Sequence, residues 1–215
     1  MNIPTLIFQG GDIVLHEALR REELEMIELL LESPKIDLNQ KNKDGNTVLH
    51  KAVRRGELQM VELLLELSNI DQNQKNKNGD TILQSAINGK HPEIVKLILD
   101  RTVVDPMEKN MYGDNALHTG ARRGNLEIVK LLLERTDIDP TEKNQRNNTA
   151  YDVVENYWID SEEKRDTKEV IQSYMTKERR IPKTTKLNTV LEQDESPPEK
   201  SENVEGETYY NTETR

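Results

Sequence analysis

A phrase of the sequence returns every 34 residues, and this repetition limits the possible folds more than any other feature. The stretch TVLHKAVRRGEL at 47–58 becomes TILQSAINGKHP at 81–92 and NALHTGARRGNL at 115–126. The same interval separates Gly11, Gly45, Gly79, Gly113 and Asn147. A fixed period of this size predicts structural copies that stack side by side.

Each copy has the pattern of a turn followed by two helices. DG at 44–45 and NG at 78–79 are turn dipeptides in which glycine takes positive φ, and Asn147 is the best substitute for it. The expected helix N-caps, two residues after the turn, are Thr47, Thr81 and Thr149. The second helix has one apolar face. Because neither helix is long enough to be stable alone, stacking of the copies must stabilise both.

The repeated motif resembles the ankyrin repeat, a β-turn followed by a T-P-L-H-x-A helix and a longer second helix. TVLHKA, TILQSA and NALHTG carry the resemblance, with a degenerate first copy, IVLHEA at 13–18, and an altered last copy, TAYDVV at 149–154. The proline of the motif is replaced at Val48, Ile82 and Ala116. The resemblance implies an all-α helical repeat solenoid that recognises a protein partner through its concave face and turn tips, without catalysis.

The periodicity divides the chain into three parts. We predict an N-terminal cap segment at 1–10, an ankyrin-repeat domain at 11–176 and a disordered charged tail at 177–215. The tail is poor in apolar residues and rich in Pro, Glu, Ser and Thr, which is typical of disorder. The five copies are expected near 11–44, 45–78, 79–112, 113–146 and 147–176. In the fifth copy an acidic segment, WIDSEEKRDTK at 158–168, is expected to precede the final helix.

Composition and charge exclude several classes of function. The chain has no cysteine, which excludes disulfides and thiolate metal sites. Its net charge of −10 argues against nucleic-acid binding, and no apolar run approaches the length of a membrane span. The sequence contains no phosphate-binding loop, metal-spaced cluster or serine nucleophile motif. We therefore expect no cofactor, no metal and no enzymatic activity, and a cytoplasmic protein that is monomeric.

Pairs of adjacent arginines end the first helix in three copies, whereas the third copy has Asn88 and Gly89 there. The arginines are Arg20, Arg21, Arg54, Arg55, Arg122 and Arg123. Guanidinium groups bind carboxylates through paired hydrogen bonds, so this row and Asn88 are candidate contacts for an acidic peptide or acidic protein surface. An alternative stays open, because cations are favourable at a helix C-terminus and glutamates such as Glu57 can neutralise them.

The turn tips supply a second set of candidate partner-binding residues. They are Lys43, Asp44, Asn46, Lys77, Asn78, Asp80, Met111, Tyr112, Asp114, Arg146 and Asn148. Met111 and Tyr112 are the best candidates for interface anchors, since apolar and aromatic side chains often dominate the binding energy of interfaces. The alternative for Tyr112 is that its ring packs on an adjacent tip.

Two further rows of polar residues follow the same period. The resemblance implies that His16, His50 and His118 each make a structural hydrogen bond to the loop of a neighbouring repeat. A lysine row consists of Lys41, Lys75, Lys109 and Lys143. We expect these lysines to be solvated or paired with the aspartates at the same interval, Asp37, Asp71, Asp105 and Asp139.

A rival interpretation assigns the activity to the tail. In it the protein is a signalling adaptor or a host-directed effector whose C-terminal tail is the active element. Truncation after residue 176 separates the two interpretations. Binding by the repeat domain would survive the truncation, whereas activity of the tail would be lost.

Overall fold

The computed structural model describes residues 37–157 and 161–178. Within these ranges the chain forms eight helices and no strand. They are α1 (Val48–Arg55), α2 (Leu58–Glu66), α3 (Ile82–Gly89), α4 (Pro92–Arg101), α5 (Ala116–Arg123), α6 (Leu126–Arg135), α7 (Ala150–Tyr157) and α8 (Glu162–Glu178). The predicted cap segment, Arg20, Arg21, His16 and the tail beyond Glu178 lie outside the described residues.

The helices stack in two rows. The first helices of successive copies, α1, α3, α5 and α7, pack on one another, and the second helices, α2, α4, α6 and α8, do the same. The two helices of each copy also pack together. Residues that recur every 34 positions form the core between the rows, with 0–1% of their surface exposed: Leu49, Leu83, Leu117, Val61, Val95 and Val129. This arrangement confirms the predicted all-α repeat stack.

Polar side chains cap the N-termini of the first helices, as the sequence predicted. Thr47 and His50 form a capping box, in which each side chain binds the main-chain N–H of the other residue. Thr81 and Gln84 form the same box in the next copy. The expected cap at Thr149 is also confirmed, because its hydroxyl accepts a hydrogen bond from Asp152 N at 3.2 Å. A cap of this kind stabilises a helix by about 1 kcal/mol.

The last helix begins earlier than the sequence suggested. α8 starts at Glu162, so the prediction that the acidic segment precedes the helix is wrong for residues 162–168. The hydroxyl of Ser161 accepts a hydrogen bond from Lys164 N at 3.2 Å, and acidic side chains in a first turn are favourable near the helix N-terminus. Ile171 of α8 is buried in the common core. No helix in the described ranges combines the length and the apolar character needed to cross a membrane.

Candidate partner-binding surface

An asparagine shapes each of the four described turns. Its side-chain oxygen accepts hydrogen bonds from the main-chain N–H groups two and four residues later, at 2.9–3.1 Å. These residues are Asn42, Asn76, Asn110 and Asn144. The predicted positive φ is confirmed at Gly45 (75°), Gly79 (74°), Gly113 (73°) and Asn147 (60°). Each turn is therefore fixed by its own side chain and by a residue that tolerates the left-handed conformation.

Main-chain hydrogen bonds join each tip to the next. They run from Lys77 N to Asp44 O (3.0 Å), from Met111 N to Asn78 O (2.9 Å) and from Gln145 N to Tyr112 O (3.2 Å). The tips approach so closely that a Cβ atom on Gly45 would lie 2.6 Å from Lys77 N. Glycine is thus required at this turn by the approach of the next copy as well as by φ. The tips form one continuous, hydrogen-bonded edge.

The residues exposed on this edge differ from copy to copy. We call them the tip row: Lys43, Asp44, Lys77, Asn78, Met111, Tyr112, Gln145 and Arg146. Met111 has 53% and Tyr112 has 42% of its surface exposed, and both belong to one tip. The other three described tips carry only polar or charged pairs. The surface is therefore uniform in backbone and varied in side-chain chemistry.

Two predicted tip residues lie below the surface. Asp80 is 6% exposed and Asp114 is 2% exposed, because an asparagine of the following copy covers each of them. The covering bonds run from Asn110 Nδ2 to Asp80 Oδ1 (2.8 Å) and from Asn144 Nδ2 to Asp114 Oδ1 (2.7 Å). In the preceding copy Asn76 Nδ2 donates in the same way to Asn46 Oδ1 at 3.0 Å. A partner would reach either aspartate only through these neighbours, and their contact with a partner stays a prediction.

The two arginines that end α5 join this network beneath the tips. Arg122 Nη1 lies 2.7 Å from Asp114 Oδ2. Arg123 Nε donates to Asn88 Oδ1 at 2.7 Å, and Asn88 Nδ2 donates in turn to Asp80 Oδ2 at 3.2 Å. A buried carboxylate needs such partners, since a charge left unpaired in a protein interior is strongly destabilising. These two arginines therefore contribute to the stability of the stack.

The arginines that end α1 are more accessible. Arg54 is exposed and makes no ion pair with another described residue, whereas Arg55 pairs with Glu57. Burial lowers the pKa of Arg123, and the positive charges of Arg122 and Arg54 lower it further. The Arg54 carbonyl lies against Gly89, and Arg123 binds Asn88, so the ends of α1 and α5 both lie against the end of α3. We call Arg54, Arg122 and Arg123 the cationic cluster.

A shallow notch opens beside the Met111–Tyr112 tip. It is lined by Tyr112, Asp114, Arg122, Asn144, Arg146 and Val153. Two of these residues, Asn144 and Val153, were not among the predicted contacts. The recurrence of asparagine every 34 residues is a sequence signal that could have identified Asn144. Val153 gives no such signal, because it reads as an ordinary core residue of a helix.

Side chains in the first helices join successive copies, as the resemblance implied. The bonds to the next turn are His50 Nε2 to Asp80 O (3.2 Å), Gln84 Nε2 to Asp114 O (2.7 Å) and His118 Nε2 to Asn148 O (3.0 Å). The structural role is thus confirmed for both described histidines of the motif. Burial lowers the pKa of His118, although its bond to the Asn148 carbonyl and the charge of Asp114 act in the opposite direction.

The lysine row binds the main chain rather than the predicted aspartates. The first three Nζ groups donate to the carbonyl of the lysine in the next copy, from Lys41 to Lys75 (2.8 Å), from Lys75 to Lys109 (3.2 Å) and from Lys109 to Lys143 (3.5 Å). Their carboxylate partners are Glu108 for Lys75 and Glu142 for Lys109. The expected pairing was wrong because Asp37, Asp71, Asp105 and Asp139 accept the main-chain N–H two residues later and close local turns.

The surface offers hydrogen bonding, ion pairing and apolar contact. In the part of the chain that the structure describes, no group of three or more His, Asp or Glu side chains could hold a metal ion. His91, the histidine outside the repeated motif, lies with Nδ1 3.4 Å from Glu93 Oε1 at the start of α4. What distinguishes this surface is therefore the tip row and the cationic cluster.

Comparison with known proteins places these features in a family. The family model for ankyrin repeats, which spans three copies, matches residues 4–76 and 67–144. No curated protein matches the chain. Among solved structures the chain is similar to one titled "Crystal Structure of EF0377 an Ankyrin Repeat Protein", with a TM-score of 0.68 and 24% identity over 78% of this chain and 82% of that one. At this identity the similarity shows the fold alone.

Proposed function

Since the chain belongs to the ankyrin repeat family, we propose that it is a non-catalytic module that binds a protein partner. The contact uses the tip row and the face formed by α1, α3, α5 and α7, the first-helix face. Ankyrin repeats are generally protein–protein interaction modules. The fold does not select a partner, because specificity on such scaffolds lies in the exposed residues that each chain places on it.

One observation carries the proposal: the framework of the turns repeats whereas the exposed pairs do not. The Asn-capped turn, the positive φ and the main-chain bonds between tips recur in each described copy. A surface with only a structural role has no need for an ordered edge on which every tip presents different side chains. A surface that recognises a partner does need one, because rigid display reduces the entropy lost on binding.

The cationic cluster favours an acidic partner. Arg54 is exposed on a chain whose net charge is −10. The positive charges of Arg122 and Arg54 lower the pKa of Arg123. Arg122 and Arg123 also hold the network beneath the tips, so part of their hydrogen-bonding capacity serves stability. A guanidinium has five N–H donors, so the exposed Arg54 can bind a carboxylate of a partner.

Affinity capture from cell lysate, read by mass spectrometry, tests the proposal. The variant is Arg54→Glu with Arg55→Glu, which reverses two charges on the first-helix face and leaves Asp114 and Asn88 with their arginine partners. The matched control is Lys96→Glu with Lys130→Glu, which makes the same charge change on exposed positions of the second helices. Circular dichroism checks that both variants remain folded.

We expect the wild type and the control to retain a partner that the arginine variant loses. We also expect added salt to weaken the capture, because exposed ion pairs are screened. Equal capture by all three proteins would contradict an acidic partner at α1. A partner that is lost only when residues 179–215 are removed would instead favour the signalling adaptor or host-directed effector whose tail is the active element.

A further inference from the structure

We infer that the centre of the partner contact is the Met111–Tyr112 tip with the notch beside it. Its occupant is an extended peptide segment of the partner, in which an apolar side chain lies within a few residues of an Asp or Glu. This inference rests on the proposed function and names the part of the surface, and the kind of segment, that decide specificity.

The apolar half of this contact is unique among the described tips. Met111 and Tyr112 are 53% and 42% exposed, at positions where the other copies have Lys, Asp, Asn, Gln or Arg. A thioether adapts its shape to an apolar side chain, and a tyrosine ring supplies a large contact area with little entropy to lose. Covering this pair with an apolar side chain of a partner removes apolar surface from water, which is favourable.

The backbone under this pair is fixed on both sides. Met111 N donates to Asn78 O at 2.9 Å, and Tyr112 O accepts from Gln145 N at 3.2 Å. Asn110 caps the turn from within. The two side chains therefore stand on a backbone that is already ordered before binding, which reduces the free-energy cost of association.

The charged half of the contact lies in the adjacent notch. Arg122 and Arg146 line it together with Tyr112, and the single carboxylate in the lining belongs to Asp114. That carboxylate is buried and already binds Asn144 Nδ2 and Arg122 Nη1 at 2.7 Å each. Two guanidinium groups and one carboxylate line the notch, and this composition favours an anion over a cation. Because the ring and the arginines share one lining, the anion must lie close in sequence to the apolar side chain.

Selection from a random dodecapeptide phage library tests this inference with the full chain as bait. The main variant is Met111→Lys with Tyr112→Asn, which replaces the apolar tip by the residues of the Lys77–Asn78 tip. The control is Lys77→Gln with Asn78→Arg, which places the residues of the Gln145–Arg146 tip at 77–78 and leaves Met111 and Tyr112 unchanged. All the substituted side chains are exposed, so the fold is expected to persist.

We expect the wild type and the control to enrich peptides that combine an apolar residue with a nearby Asp or Glu. The Met111→Lys, Tyr112→Asn variant should lose that enrichment, and the affinity for a synthetic peptide carrying the motif should fall about tenfold or more in fluorescence anisotropy. Arg146→Glu should remove the preference for the acid while the preference for the apolar residue remains.

Three results would overturn the inference: equal enrichment by the tip variant, enriched peptides without the combined motif, or no common motif for the wild type. The proposed function fails separately. If the tip variant still captures the lysate partner and the Arg54→Glu, Arg55→Glu variant does not, the chain binds a protein through its first-helix face and the apolar tip is not the centre of the contact.

Discussion

The third copy binds the copy that follows it through a different side chain from the one that its two neighbours use. Gln84 stands where the second copy has His50 and the fourth has His118. All three side chains nevertheless reach a main-chain carbonyl of the next turn, at 2.7–3.2 Å. The position therefore requires a hydrogen-bond donor at a given distance rather than an imidazole ring.

The ends of the first helices show a second difference between these copies. Gly56 and Gly124 take positive φ after α1 and α5, whereas Lys90 does so after α3, at 65°. Just before it, Gly89 stands where the neighbouring copies have arginine, and a Cβ atom there would lie 2.3 Å from the carbonyl oxygen of Arg54. The third copy thus lacks the second arginine at a place where the backbones come too close for a side chain.

The largest effect is expected from Gly89→Ala. The added methyl group would collide with the Arg54 carbonyl, and backbone is harder to displace than a side chain. We expect the free energy of unfolding to fall by about 2 kcal/mol, measured by urea denaturation. Unchanged stability would show that α1 and α3 separate easily, and the close approach would then not explain the missing arginine.

An increase in stability is expected from Lys90→Gly. The left-handed conformation costs a residue with a side chain about 1 kcal/mol, and the exposed Lys90 makes the same helix-ending main-chain bond with either residue. The free energy of unfolding should rise by about 1 kcal/mol in the same urea assay. Gly56→Lys gives the reciprocal test and should be destabilising, since Gly56 has φ of 81° and lies against His91.

A smaller gain is expected from Gly120→Ala in α5. The second and third copies have Ala52 and Ala86 at this position, both fully buried. A Cβ atom on Gly120 would meet Val129 at 3.4 Å, an ordinary contact, and alanine also favours the helix. We expect about 0.5 kcal/mol of added stability, seen as a higher thermal midpoint. A loss of stability would mean that the fourth copy is packed more tightly than the second.

The smallest effect is expected from His118→Gln, which should change how the free energy of unfolding depends on pH. Burial lowers the pKa of His118, so below about pH 6.5 the unfolded chain takes up a proton more readily than the folded one. This histidine therefore contributes stability that is present above its unfolded pKa and is lost as the pH falls. Gln84 makes the equivalent bond without titrating. Urea denaturation between pH 7 and 5 should show a flatter profile for the variant; an identical slope would assign the pH dependence to other groups.

The period, the turns and the caps could be predicted because each depends on a local motif or on one fixed interval, and the histidine bridges were implied by the family resemblance. The burial of Asp80 and Asp114 could not, since it depends on the register between copies, which places Asn110 and Asn144 over them. The partners of the lysine row were missed for the same reason. Lys75 was expected to be solvated or paired with Asp71, and instead Glu108 of the following copy binds it.

The candidate surface also has a part that the sequence could predict and a part that it could not. The exposure of Met111 and Tyr112 follows from their place at a turn, and the sequence identified both. The notch depends on how α7 packs against α5, and therefore Val153 could be found only from the structure. Repetition makes the backbone predictable, whereas the chemistry between copies depends on side chains that do not repeat.

The turn at Asn78–Gly79 also governs how this protein ages chemically. Asparagine followed by glycine is prone to deamidation, in which the glycine nitrogen attacks the asparagine side-chain carbon and ammonia leaves. Water then opens the resulting succinimide to isoaspartate or aspartate. Here Gly79 N is held by Asn76 O at 2.9 Å, and the carbonyl of Asn78 is held by Met111 N at 2.9 Å. We expect peptide mass spectrometry to find isoaspartate at 78 forming slowly in the folded chain and faster in urea. The amount of isoaspartate at 78 would therefore report how often this turn opens.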